Sequence, residues 1–191
     1  MINSRDELHE YIERDRLANS RVRRRARLFG DELWKFQLTM RRLDYAATQY
    51  KKCKIHALPY LYYKMRYHRL SVKLGFSIPY HAFEKGLALP HYGSIIINQT
   101  CRFGENCRIH NCVNIGATSG NRNAAKVGSN VYIGPGVQIV GDITIADGVC
   151  IGAGAVVVKS IEEPNTTWAG CPAKKISDNS SQRHLSPMLF R

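Results

Sequence analysis

At 191 residues and a formal net charge of +13, the chain is long enough for one folded domain, or one domain with a smaller cap. No apolar run reaches the 18 residues that an α-helical membrane span needs. The opening stretch Met1–Asp15 is charged throughout and has no apolar signal-peptide core. Six cysteines form no C-x-x-C pair, so neither a disulfide framework nor a metal cluster is expected, and a reduced, cytoplasmic setting is.

The first 75 residues read as helices. Ser4 followed by Glu7 resembles a capping box ahead of Leu8, Tyr11 and Ile12, and Gly30 breaks the pattern. Asp31-Glu32 opens a second helix with Leu33, Phe36, Met40, Leu43 and Ala47 roughly on one side. A third starts near Pro59, carries Leu61, Tyr62, Met65 and Leu70, and stops around Gly75. Charge is concentrated here: residues 1–75 hold 18 Lys/Arg against 8 Asp/Glu, whereas residues 76–191 hold 10 against 7. The basic run Arg21 to Arg27 reads either as a solvated helix junction or as an attractor for an anionic partner. That partner could be a phosphorylated cofactor, an acidic glycan or a membrane surface. No nucleic-acid-binding motif accompanies the charge, so nucleic acid is not expected.

Residues 76–163 carry a six-residue beat. A large aliphatic or Phe recurs at Phe103, Ile109, Ile115, Val127, Ile133, Ile139, Ile145, Ile151 and Val157, at spacings of six or twelve. Four residues after each large position comes a smaller apolar slot, Cys107, Val113, Val131, Val137, Ile143, Val149, Ala155 and Ile161 among them. This period fits a solenoid whose coil has three short flat faces, each using one repeat with its aliphatic inward. Each buried Ile or Val contributes roughly 1.5–3 kcal/mol relative to exposure. Glycine often follows the aliphatic (Gly104, Gly116, Gly128, Gly134, Gly152), where a corner calls for backbone freedom. Thr118 to Lys126 keeps the length but loses the aliphatic, so a loop should leave the wall there. From 164 onward the prolines end the strand pattern, the chain should run back along the outside, and residues 178–191 read as a disordered tail.

The beat slips once. From Leu89 to Ile97 the step is eight, and His91 lies inside the two-residue insertion beside Gly93 and Ser94. Insertions in solenoids gather on functional faces, and an imidazole titrating near neutrality can take a proton from a hydroxyl. His81 and His110 lack that context. A histidine at a coil corner can also be a purely structural residue.

The hexapeptide ladder, the eight-residue step holding a His and the Gly170-Cys171-Pro172-Ala173-Lys174 segment resemble the left-handed parallel β-helix acyltransferases, and the helical cap makes the serine acetyltransferase branch the nearest likeness. The resemblance implies an all-β left-handed parallel β-helix over 76–163, an α-helical cap over 1–75 and an extended C-terminal segment over 164–191. It implies a homotrimer, with a dimer of trimers through the cap as an option, and acetyl-CoA as co-substrate in the groove between prisms. His91 becomes the general base and Arg122 the partner of serine's carboxylate. Gly116, Ala117, Thr118, Gly134, Ala153 and Lys159 line the cofactor groove, and Lys174 meets CoA phosphates. The pattern departs from the family in three places: Pro90 replaces an aspartate, Asn123 a histidine, and Phe76 or Ser77 the aspartate that orients the imidazole. Ser77, Glu84 or a backbone carbonyl could take over the orienting bond. Loss of acids that would greet an ammonium brings a sugar hydroxyl, including one on a capsular polysaccharide precursor, in as an alternative acceptor. Two further alternatives are a trimeric metal enzyme using His81, His91 and His110, and a non-catalytic scaffold.

Overall fold

A computed structural model describes residues 1–190; Arg191 lies outside the described residues. Three helices come first: α1 (Arg5–Ala18), α2 (Glu32–Lys52) and α3 (Ala57–Leu74). Ser4 caps α1 by accepting from the Glu7 N–H at 3.1 Å, while Glu7 reaches back to the Asn3 N–H. Gly75, in the left-handed region at φ 77°, ends α3. On α2 the expected side is buried at Phe36, Met40, Leu43 and Ala47. On α3 it is not: Leu61, Tyr62 and Met65 face solvent and only Leu70 packs against the core.

The rest of the chain winds as a parallel coil with three walls. The first wall stacks Phe76–Ser77, Ile95–Ile97, Val113–Gly116, Gln138–Val140 and Val156–Val157. The second stacks Arg102–Phe103, Lys126–Val127 and Thr144–Ile145; the third stacks Arg108–Ile109, Tyr132–Ile133, Cys150–Ile151 and Thr167–Ala169. Register is set by the inward aliphatics, since Ile97, Ile115 and Ile139 are partners on the first wall and Ile109, Ile133 and Ile151 on the third. Every large and small inward position of the ladder is buried. Burial raises the Cys101 thiol to about 11 and the Cys107 thiol to about 12, so both are inert packing residues.

Three expectations are corrected. Gly104, Gly128 and Gly134 do not sit at positive φ; a Cβ on Gly104 would lie 2.5 Å from Ser129 Oγ, so the glycines are required by coil-to-coil approach. The coil does not stop at Pro164, because Thr167–Ala169 adds another parallel strand and Lys174–Ser177 returns antiparallel to it. The C-terminal segment, through residue 190, is no disordered tail. It straps the third wall: Thr167 Oγ1 donates to Asn179 O, the Ser181 N–H donates to Gly148 O, and Leu185 and Leu189 bury against Ala18 and Ala88. Ser20 Oγ meets Ser186 Oγ at 2.9 Å, which ties the strap to the cap.

The cap is fixed to the first coil by a buried ion pair. Arg41 on α2 donates through Nε and Nη2 to the Asp15 carboxylate of α1 at 2.8 and 3.0 Å, and to the Phe83 and Glu84 carbonyls at 2.7 Å each. Asp15 Oδ1 also accepts the Gly86 and Leu87 N–H groups, both at 2.9 Å. The pair is almost wholly buried, so removing one charge strands the other. Asp15→Asn is expected to cost about 3–5 kcal/mol of unfolding free energy, measured by urea denaturation.

Candidate active site

The eight-residue step is held open by the end of α3. The Gly93 N–H donates to Leu74 O at 3.0 Å and the Ile95 N–H to Gly75 O at 3.2 Å. Gly93 adopts φ 122°, a region that L side chains avoid, and a Cβ there would touch Asn111 Cβ. Pro90 and His91 therefore leave the wall, and the His91 side chain is exposed.

Wall register sorts the remaining candidates onto two edges of the prism. Ala88, Arg108, Tyr132, Cys150 and Thr167 lie one above another on the third wall. His91, His110, Gly134 and Ala153 follow them at the edge leading to the first wall. Lys174, paired with Ala169, closes the lower end of that edge. Gly116, Ala117, Thr118 and Lys159 lie at the other end of the first wall, where the chain turns toward the second. Arg122 and Asn123 belong to the exposed loop at that second edge, pinned by Thr100 Oγ1 donating to Arg122 O at 3.2 Å and by Asn123 Nδ2 donating to Asp142 at 3.2 Å. A single chain thus does not bring its expected site residues together.

The expected orienting groups also separate. Glu84 accepts the Tyr11 hydroxyl, and its N–H bonds Phe103 O on the second wall. Ser77 pairs with Ile96 on the first wall and lines a cavity with Tyr67, His68 and Tyr80. The aromatic neighbour of His91 among the described residues is His110, with ring centroids 5.4 Å apart. His110 continues into Tyr132 at 5.2 Å, and Tyr132 stacks on His184 of the strap at 4.5 Å. Arg108 Nε points at His110 Nε2 at 3.4 Å, and Arg183 Nε donates to His184 Nε2 at 3.1 Å.

This file of His110, Tyr132 and His184 was only partly foreseeable. Arg108 and Tyr132 each precede an inward aliphatic by one residue, which places them on the outside of the same wall; His184 arrives only through the strap. Burial first, then Arg108, His91 and His184, push His110 down to about 4. It is therefore a neutral imidazole near pH 7, able to accept from Arg108 through one nitrogen and to offer an N–H from the other. His81 lies elsewhere, edge-on to Tyr80. Among the described residues no group of three His, Cys, Asp or Glu is placed to hold a metal ion.

The depressed His110 has a consequence for stability. Its folded-state value of about 4 lies below its ordinary 6.5, so the folded protein binds fewer protons than the unfolded chain between these limits. The stabilisation is complete above pH 6.5 and is lost as pH falls toward 4. The melting temperature should therefore drop across that window, and His110→Gln should flatten the drop in a pH series of thermal melts.

Comparison with known proteins accords with this geometry. Residues 124–159 match the bacterial transferase hexapeptide (six repeats) family. Serine acetyltransferase 3, mitochondrial, of Arabidopsis thaliana is 36% identical over 126 residues, which is 62% of this chain and 32% of that protein. The chain spans between about a third and about half of the curated relatives it matches. Among solved structures, serine acetyltransferase from Brucella abortus strain S19 superposes with a TM-score of 0.70 at 25% identity, covering 93% of this chain and 72% of that one. The same enzyme in complex with Coenzyme A gives a TM-score of 0.70 at 24% identity, over 92% and 70% of the two chains, a likeness of fold. In repeat, sequence and fold, the chain is similar to the bacterial hexapeptide transferases and to the serine acetyltransferases among them.

Proposed function

We propose that the protein is an acetyl-CoA-dependent O-acetyltransferase that moves an acetyl group onto the hydroxyl of free L-serine, from a left-handed prism working as a homotrimer. The observation that carries this reading is His91, exposed on the one slip of the coil and, among the described residues, free of any carboxylate or backbone bond that would occupy it. The relatives in sequence and fold are serine acetyltransferases, which weighs for serine against the polysaccharide hydroxyl that the missing acids brought into view.

In this reading His91 takes the proton from the acceptor hydroxyl as its oxygen attacks the thioester carbon. It then returns that proton to the departing sulfur. Neutral His110, its ring centroid 5.4 Å from that of His91, sets the imidazole from the side and takes the orienting role that the resemblance would give to a carboxylate at Phe76 or Ser77. Arg122 holds the acceptor carboxylate. Lys159 and Lys174, both exposed near the C-terminal end of the coil, supply the charge that the CoA phosphates require. No nucleic acid or metal takes part in the scheme.

The two edges demand more than one copy. His91, Gly134, Ala153 and Lys174 lie on one edge, and Gly116, Ala117, Thr118, Lys159 and the Arg122–Asn123 loop on another, so a groove containing both sets forms where one protomer's first edge meets its neighbour's second. His91→Ala should reduce acetyl-CoA consumption with L-serine by about 10²–10⁴-fold while the circular dichroism spectrum stays native; unchanged turnover would remove His91 from the mechanism. The shared groove makes a separate forecast. Co-expressed His91→Ala and Arg122→Ala chains, each inactive alone, should recover measurable turnover when mixed in one oligomer. Failure to recover it, with mixed oligomers verified by mass, would place the whole site within one chain.

A further inference from the structure

A basin of about 600 Å³ lies on the cap, away from His91, between α1, the loop joining α1 to α2, and the outer side of α2. Its wall includes Arg24, Arg25, Arg27, Lys35, Arg42 and Arg66 and, among the described residues, no carboxylate. The exposed Arg24 has one partner, the half-buried Glu13 at 3.4 Å, which Arg16 also holds at 2.6 Å, and Asp31 is engaged with Arg21 at 2.6 Å. Among the described residues, Arg25, Arg27, Arg42, Arg66 and Lys35 make no ion pair.

The loop at the rim is built. Trp34 Nε1 donates to Arg24 O at 3.0 Å, the Arg27 N–H to Asp31 at 3.0 Å, and Lys35 Nζ to Leu28 O at 2.8 Å. With its backbone held this way, the loop turns its apolar side chains outward: Val22, Leu28 and Phe29 are 88%, 83% and 86% exposed. On α3, Leu58, Tyr62 and Met65 lie on one side of the helix and are exposed as well. Tyr62 also accepts from Arg66, which lines the basin.

Unpaired cations beside outward aliphatic and aromatic side chains are what a protein lying on an anionic bilayer presents: the charges meet headgroup phosphates and the apolar tips enter the acyl boundary. A polyanion in solution would use the arginines and leave Leu28 and Phe29 in water. We infer that the cap docks on an anionic membrane surface, with the Arg24–Arg27 loop seated among lipid phosphates and Leu28 and Phe29 inserted beneath them. No helix among the described residues is long and apolar enough to cross a membrane, so this contact is peripheral.

The test is co-sedimentation of the full-length protein with vesicles of pure phosphatidylcholine and with vesicles of equal parts phosphatidylcholine and phosphatidylglycerol. Binding is expected to the second alone and to weaken with salt. Each basic residue at the surface is worth roughly fivefold in partitioning, so Arg24→Gln/Arg25→Gln/Arg27→Gln should weaken binding on the order of 100-fold. Leu28→Ser/Phe29→Ser should weaken it while leaving the charge intact. All of these side chains are exposed, so the melting temperature and acetyl transfer should stay at wild-type levels. Equal binding to both vesicles, or binding to neither, overturns the inference. So does binding to phosphatidylglycerol that ignores Leu28→Ser/Phe29→Ser and is fully displaced by a short single-stranded RNA, which would mark the basin as a general polyanion site.

Discussion

The constraint on which everything else rests is that each wall of the coil must turn one large aliphatic inward at every repeat. Ile109, Ile133 and Ile151 stack on one wall and Ile97, Ile115 and Ile139 on another. A one-residue slip in a strand would move its aliphatic from core to solvent. An insertion can therefore be accommodated only at an edge, where the backbone can leave the stack and rejoin it. The Pro90–Ser94 excursion does this, and its return is secured by carbonyls at the end of α3. The site is thus placed by packing before any chemistry is asked of it: His91 is held out because the core has no room for the extra residues.

The cap is what makes that return possible. An open coil end would expose the inward face of its first turn, and α2 covers it with Phe36 and Met40. The buried Asp15–Arg41 pair satisfies four backbone groups of the first coil as well as each other, which is the condition under which a buried ion pair avoids being a net cost. Cap and first coil are consequently one packed unit, and the C-terminal strap runs back to the same place through Ser20 and Ala18. Chain segments distant in sequence converge beside Ala88, three residues before His91.

The fold was legible because its signal is local and repeated: the six-residue ladder, the Ser4 cap and the Gly75 stop each declare themselves within a few residues. The strap was not. Leu185 and Leu189 lie in a polar, proline-containing stretch whose apolar residues have no period, and their burial depends on Ala88 and Ala18, far away in the chain. Leu61, Tyr62 and Met65 failed for a related reason, since periodicity says which residues share a side of α3 but not whether anything covers that side. The exposed place of His91, off the wall, was readable from the miscount alone. The identity of its neighbour was not, because the Ala88–Arg108 pairing that carries His110 to it exists only once the coil is wound.

The same winding explains why sequence proximity misleads about the site. Gly116 and Gly134 are eighteen residues apart, yet they end up on different edges because the chain passes the second and third walls between them. The triangular section fixes those edges at the two ends of one flat wall, so no rotation of side chains can close the gap within a protomer. What can close it is a cyclic assembly, in which each contact is head-to-tail and the ring shuts after three copies of a three-sided object. Such an assembly puts the His91 edge of one prism against the Arg122 loop of the next, at three equivalent places. In the proposed trimer the base and the carboxylate-holding arginine would come from different chains, and the miscount at His91 is where that proposed assembly would leave space for a substrate.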